Sequence, residues 1–163
     1  MSYIYPAPGN TDAQVILKVT NTGGNLANAS ATITVPGLQD VTLNAANDVF
    51  TWTQLDAASK KQIATTATNS LGMNLVLDQT IFFGSNATAI STSVAPEKGI
   101  FGLSNFKNKI DFSLYLGDTD SGAAGKTITG SGYVTGLAPT VSADSPVWVS
   151  PITITVDGDY DVA

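Results

Sequence analysis

The stretch Thr127–Leu137, TITGSGYVTGL, decides how the rest of the chain is read. It holds hydroxyls, glycines and a few apolar side chains in alternation, with no acid, base or thiol. A period of two carried by β-branched residues belongs to a half-buried strand. The same signature recurs on both sides of it. Val15–Thr20, VILKVT, sets Val15, Leu17 and Val19 on one face, and ATITV at 31–35 sets Ile33 and Val35 together. KIDFSLYLG, from Lys109, opposes Ile110, Phe112, Leu114 and Leu116 to Lys109, Asp111, Ser113 and Tyr115. PITITVDGDY, from Pro151, places Ile152, Ile154 and Val156 on one side. MNLVLDQTIFF, Met73–Phe83, reads as one more strand, with Leu75, Leu77 and Ile81 inward and Asn74, Asp78 and Thr80 outward.

Turn chemistry separates these runs. NTGGN at Asn21–Asn25 and GDTDSGAAGK at Gly117–Lys126 are hairpin connections, and Pro36-Gly37 marks a change of direction. One segment reads as helix, TQLDAASKKQIATTA, Thr53–Ala67 (about 54–67 as an element). Thr53 and Asp56 resemble a capping box, and Leu55, Ala58 and Ile63 share a face. The expected architecture is a single all-β (mainly β) domain over 1–163. It is a β-sandwich or partial barrel with one flanking α-helix and a long projecting arm.

The arm is expected at 84–108, a weakly patterned stretch longer than compact domains ordinarily leave unstructured. It carries Ile90, Val94, Ile100, Phe101, Leu103 and Phe106, too many apolar residues for a solvated linker. The competing readings are that it holds one more irregular strand, or that the arm is the connection from Pro36 to Gln54.

Composition excludes whole classes of chemistry. The 163 residues include no cysteine, histidine or arginine, and Glu97 is the sole glutamate. Histidine-based triads, histidine zinc sites, thiol chemistry and bidentate arginine clamps are therefore absent. Seven lysines against thirteen acids leave a net charge of −6, which disfavours tight nucleic-acid binding. No run of about 18 apolar residues is long enough to span a bilayer. The N-terminus, MSYIYPAPGNTD, lacks the basic start and apolar run of a secretory signal.

The remaining candidate sites read as ordinary structure. DGDYD at 157–161 and GDTDSG at 117–122 lack the bidentate glutamate of a calcium loop and read as solvated turns. Asn86-Ala87-Thr88 matches a glycosylation pattern, and Ala124–Thr127, AGKT, echoes a phosphate loop without its spacing. Asp78 and Asp111 are expected on polar strand faces, not in the apolar pocket that paired acid–base hydrolysis needs. Trp52, Trp148, Tyr115 and Tyr133 could form a sugar platform, although aromatics in such domains more often serve core or interface. No enzyme activity and no cofactor are expected.

The last third has a specific order: DFSLYLG, an acidic Gly-rich turn, then TITGSGYVTGLAPTVSADSPVWVSPITITVDGDYD. It resembles the C-terminal part of the major tail tube protein of long-tailed bacteriophages, and the likeness extends over about two thirds of the chain. The resemblance implies a structural virion protein, assembled in the host cytoplasm into rings of six that stack into a tube. It implies self-association as the main partnership, with the tape-measure protein and DNA passing transiently through the bore. On that reading Ile90, Val94, Ile100, Phe101, Leu103 and Phe106 would contact the next ring, and Asp78 and Asp111 would face the lumen. The alternatives are another particle component, such as a head decoration or tail terminator, and a carbohydrate-binding or adhesin domain.

Overall fold

The computed structural model describes residues 16–21, 32–35, 37–56, 58–84, 99–116 and 126–163. Among these residues nine strands form one sheet with path order β2-β1-β5-β6-β8-β4-β3, to which β7 adds beside β8 and β9 beside β6. They are β1 (Ile16–Asn21), β2 (Thr32–Val35), β3 (Leu38–Thr53), β4 (Lys60–Val76), β5 (Lys109–Leu116), β6 (Lys126–Leu137), β7 (Thr140–Ser142), β8 (Ser145–Val156) and β9 (Asp161–Val162). Two short helices, α1 (Gln79–Phe83) and α2 (Gly99–Asn105), lie between β4 and β5. The fold is mainly β and the sheet curls into a half-barrel, so the partial barrel is the form taken.

The opening stretch is β6, at the centre of the sheet, pairing β5 over Lys126–Tyr133 and β8 over Gly132–Leu137. Its alternation does what the sequence implies. Ile128 and Val134 are buried, while Tyr133 and Thr135 are exposed on the opposite face. The neighbouring strands bury Ile110, Phe112 and Leu114 from β5, Ile152, Ile154 and Val156 from β8, and Leu71, Met73 and Leu75 from β4. Both expected hairpins are present as antiparallel pairs, β1 with β2 and β5 with β6. Their tips, within 22–31 and 117–125, lie outside the described residues.

The glycines of β6 have a packing reason. A methyl at Gly130 would stand 2.8 Å from Cζ of the buried Phe112, so the ring occupies the space a side chain would need.

The helix expected over Thr53–Ala67 is not formed: Thr53 ends β3, and Lys60–Ala67 is the first half of β4. A helix of that length is marginal alone and needs a packed face. Here the segment pairs with β3 instead, Phe50 opposite Ile63 and Val49 opposite Ala64. Thr65, Thr66 and Thr68 favour that extended form, and cross-strand pairing outweighs the weak helical pattern.

The strand expected over Met73–Phe83 stops at Val76. Oδ1 of Asp78 accepts from the backbone N–H groups of Thr80 and Ile81, both at 3.0 Å, which caps α1. Phe82, on α1, and Ile100 and Leu103, on α2, are buried against the sheet and complete one apolar core. Gly99 has φ +54°, and a side chain there would collide with the Ile81 carbonyl.

Tyr160 is partly buried, its ring edge-on to Phe112 with centroids 6.3 Å apart. Burial pushes its hydroxyl above the ordinary phenol value of 10.0. Because the folded pKa is the higher one, the stabilisation is present below about pH 10 and is lost as pH rises through the folded pKa. Urea midpoints measured from pH 8 to 12 should therefore fall more steeply for the parent than for Tyr160→Phe.

Candidate assembly surfaces

β3 and β4 build the longest pairing in the molecule, from Leu38↔Leu75 to Thr53↔Lys60. β8 supports β4 only over Ser70–Val76. From Ala45↔Asn69 outward the two strands therefore form a ribbon with no third strand beside it among the described residues. At about 3.3 Å per residue it extends about 27 Å from its root. Every residue from Lys60 to Thr68 is exposed.

The ribbon's distal half carries a group of apolar side chains beside Lys60, Lys61 and Gln62. Phe50 and Ile63, register partners, are 59% and 55% exposed. Trp52 stacks on Phe50 with centroids 5.9 Å apart and planes at 25°. Phe50, Trp52 and Ile63 thus share one face, while Val49, 54% exposed, occupies the other. A bulge between Asn47 and Val49 is tied across the ribbon: Thr65 Oγ1 donates to the Asp48 carbonyl at 3.1 Å, and Thr66 Oγ1 to its carboxylate at 3.3 Å. An isolated two-stranded hairpin is marginally stable in water, so such a ribbon needs a cover.

The expected arm at 84–108 is placed differently. Ile90 and Val94 lie outside the described residues. Ile100 and Leu103 are buried in the chain's own core at 3% and 0% exposure, so neither offers surface to a second copy. Phe101 and Phe106 are exposed, and Phe101 lies 5.9 Å from the half-exposed Phe83. Among the described residues the element that extends beyond the sheet is the β3–β4 hairpin, which overlaps the competing Pro36–Gln54 reading. The usable signal was Val49, Phe50 and Trp52, strong strand formers beside a segment rich in threonine.

The sheet face opposite the core is lined with hydroxyls and amides. The hydroxyls of Thr135 and Thr155 share a hydrogen bond of 2.8 Å, and Ser131 Oγ donates to Asp111 at 2.6 Å. Asn74 Nδ2 donates to both carboxylate oxygens of Asp40, at 2.8 and 3.0 Å. Lys109 pairs with Asp157 at 2.7 Å, and that hydrogen bond raises the lysine pKa above its usual value. Asp111, on β5, is exposed on this face, whereas Asp78 caps the start of α1.

Other candidate sites are dispersed by the fold. Trp52 pairs with Lys61, whereas Trp148 is next to Val149, the partner of Val76. Along β4 those positions are about 50 Å apart, so the two tryptophans cannot form one platform. In the Asp157–Asp161 run, Asp157 is engaged by Lys109, and Asp161 lies in β9. Among the described residues no three acidic, histidine or cysteine side chains gather as a metal site.

No family model matches the chain, and no curated protein matches it. Solved structures do. A chain of the anti-feeding prophage baseplate aligns with a TM-score of 0.59 at 10% identity, over 96% of each chain. A chain of the sheath/tube terminator of an extracellular contractile injection system aligns at 0.51 and 17% identity, over 99% of each. A chain of a native gene transfer agent virion aligns at 0.51 and 11% identity, over 96% of this chain and 99% of that one. At these identities the likeness establishes a shared fold, one used for chains built into phage-like particles.

Proposed function

We propose that the chain is a structural subunit of a phage-like tail tube, one that closes into rings and stacks through its β3–β4 hairpin. The observation that carries this reading is the hairpin itself, a ribbon that no third described strand flanks, with Phe50 and Ile63 exposed and Trp52 half-buried on one face. Covering such residues is worth up to about 1.5–3 kcal/mol each when they pass from full exposure to full burial. A second copy supplies the cover without any other partner being required. Phe101 and Phe106 extend the inter-ring contact on the helical side.

Ring closure has a physical motive in the sheet. Its path ends in β2 on one side and β3 on the other, two edges that no other described strand pairs. Pairing one copy's β2 edge with the β3 edge of the next removes both, as barrel closure does within a single chain. A ring of six is taken by analogy with the gene transfer agent tail solved with C6 symmetry, which aligns at 12% identity and a TM-score of 0.50.

The polar face would then line the bore. Asp40, Asp111 and Asp157 put carboxylates on it, against Lys109 among its described side chains, and no arginine is present to grip phosphate. A weakly anionic, hydroxyl-rich wall lets DNA and a tape-measure protein slide rather than bind. Asp111, not Asp78, carries the lumen assignment.

Cryo-electron microscopy of the purified protein at high concentration tests this. Hollow tubes of uniform bore are the expected result. Single closed rings would assign the chain to the tube terminus instead. A monodisperse monomer retained on a glycan column would overturn the proposal.

A further inference from the structure

The structure assigns to the C-terminal turn, Asp157–Tyr160, the role of a bracket that splits the β3–β4 hairpin from the sheet and sets its direction. β8 and β9 occupy one lane beside β6, pairing Val156 with Gly132 and then Val162 with Ile128. The turn interrupts that lane at the level where β4 leaves β8, since the β4–β8 ladder ends at Ser70↔Thr155. Three contacts fasten the turn to the hairpin's root.

The first two come from one hydroxyl. Tyr160 Oη lies 2.8 Å from the Asn44 carbonyl and 2.8 Å from the Ser70 carbonyl, and those residues are register partners. A phenol has one proton, so it is shared between two acceptors on facing strands. The third comes from Asn69, the first β4 residue beyond the β8 ladder. Its side chain is buried and Nδ2 donates to the Gly158 carbonyl at 2.9 Å, taking the place of the next backbone rung.

The turn is itself held on its far side. The Asp157 N–H donates to the Ser131 carbonyl at 2.7 Å, and Ala163 exchanges two backbone bonds of 2.9 Å with Thr127. The Tyr160 ring rests against Phe112 in the core. Gly158, at φ +103°, supplies a backbone conformation that side chains resist. The hairpin root is thereby referred to the rigid centre of the sheet. Angular precision matters there, because a tilt of about 10° moves the tip of a ribbon of about 27 Å by about 5 Å.

Tyr160 and Asn69 are positioning residues, and their significance for stacking rests on the tube reading; their effect on the hairpin does not. The test therefore uses the isolated subunit. The chain has no cysteine, so spin labels at Gln62→Cys on the ribbon and Thr153→Cys on β8 report one distance. The parent should give a single narrow distribution. Tyr160→Phe and Asn69→Ala should each at least double its width, while amide exchange in β5 and β6 stays within about twofold of the parent. An unchanged width overturns the proposal. So does broadening accompanied by equal acceleration of β5 and β6 exchange, since that is a general loss of stability. Failure of the parent to form tubes would leave these readouts intact and count against the tube reading alone.

Discussion

Replacing Asn47–Ala67 by Asn-Gly is expected to abolish polymerisation while leaving a folded body. Ala46 and Thr68 are register partners, so the two inserted residues close a short hairpin of the type whose twist suits antiparallel strands. No described core residue lies between 47 and 67, so the described apolar interior is left intact. Thermal unfolding should shift by no more than a few degrees, because exposed ribbon contributes little to global stability. Assembly should fall below detection by sedimentation and microscopy at concentrations where the parent forms tubes. Tubes of parental length from the shortened chain would remove the hairpin from the inter-ring contact and return that role to the helical side, Phe101 and Phe106.

The second large effect concerns stability. Gly132→Ala should destabilise the subunit by about 3 kcal/mol or more, at the upper end of what overpacking costs. The added methyl would overlap the Thr155 carbonyl oxygen and stand 3.0 Å from Val156 Cα. Both are backbone atoms of β8, so no side chain can swing aside and the β6–β8 ladder must open. At about 2–4 °C per kcal/mol for a domain of this size, the melting point should drop by about 10 °C. Gly136→Ala is the internal control. Its methyl would meet Thr153 Cβ and Oγ1, both at 3.3 Å, a milder approach that a shift of a few tenths of an ångström relieves, and its effect should be several-fold smaller. Equal shifts for the two variants would show that the close approach at Gly132 is not what requires glycine.

The two experiments separate what the chain needs to fold from what it needs to assemble. Gly132 lies at the centre of the sheet, and its loss acts on one copy. The ribbon from Ala45 to Asn69 lies outside that centre, and its loss is felt only when copies meet. On the tube reading, the hairpin, the described sheet edges at β2 and β3 and the polar face each await a second copy. They acquire a purpose together if copies stack.

The body of the sheet was legible before the structure. Ile110, Phe112 and Leu114, and Ile152, Ile154 and Val156, alternate with polar residues because one face of each strand meets the core and the other meets water. That pattern is written locally, residue by residue, and so is the absence of histidine, arginine and cysteine that removes most catalytic chemistry. The start of α1 was also present in principle: Asp78 followed by Thr80 and Ile81 is a capping arrangement, hidden behind the apolar run that precedes it.

Placement was not legible in the same way. Thr53–Ala67 has a faint helical period, and only the partner strand Val49–Thr53 makes it extended. Ile100 and Leu103 looked like exposed apolar residues on a loop until α2 turned them into the core. The bracket at Asp157–Tyr160 joins Tyr160 to Asn44, 116 positions away, and no local pattern announces such a contact. The sequence by itself determined a mainly β, anionic chain without histidine, arginine or cysteine, with strands facing one core, because side-chain period and charge are properties of neighbours along the backbone. Tertiary structure alone decided which element projects and what holds it, because those depend on where the β4–β8 ladder ends in space.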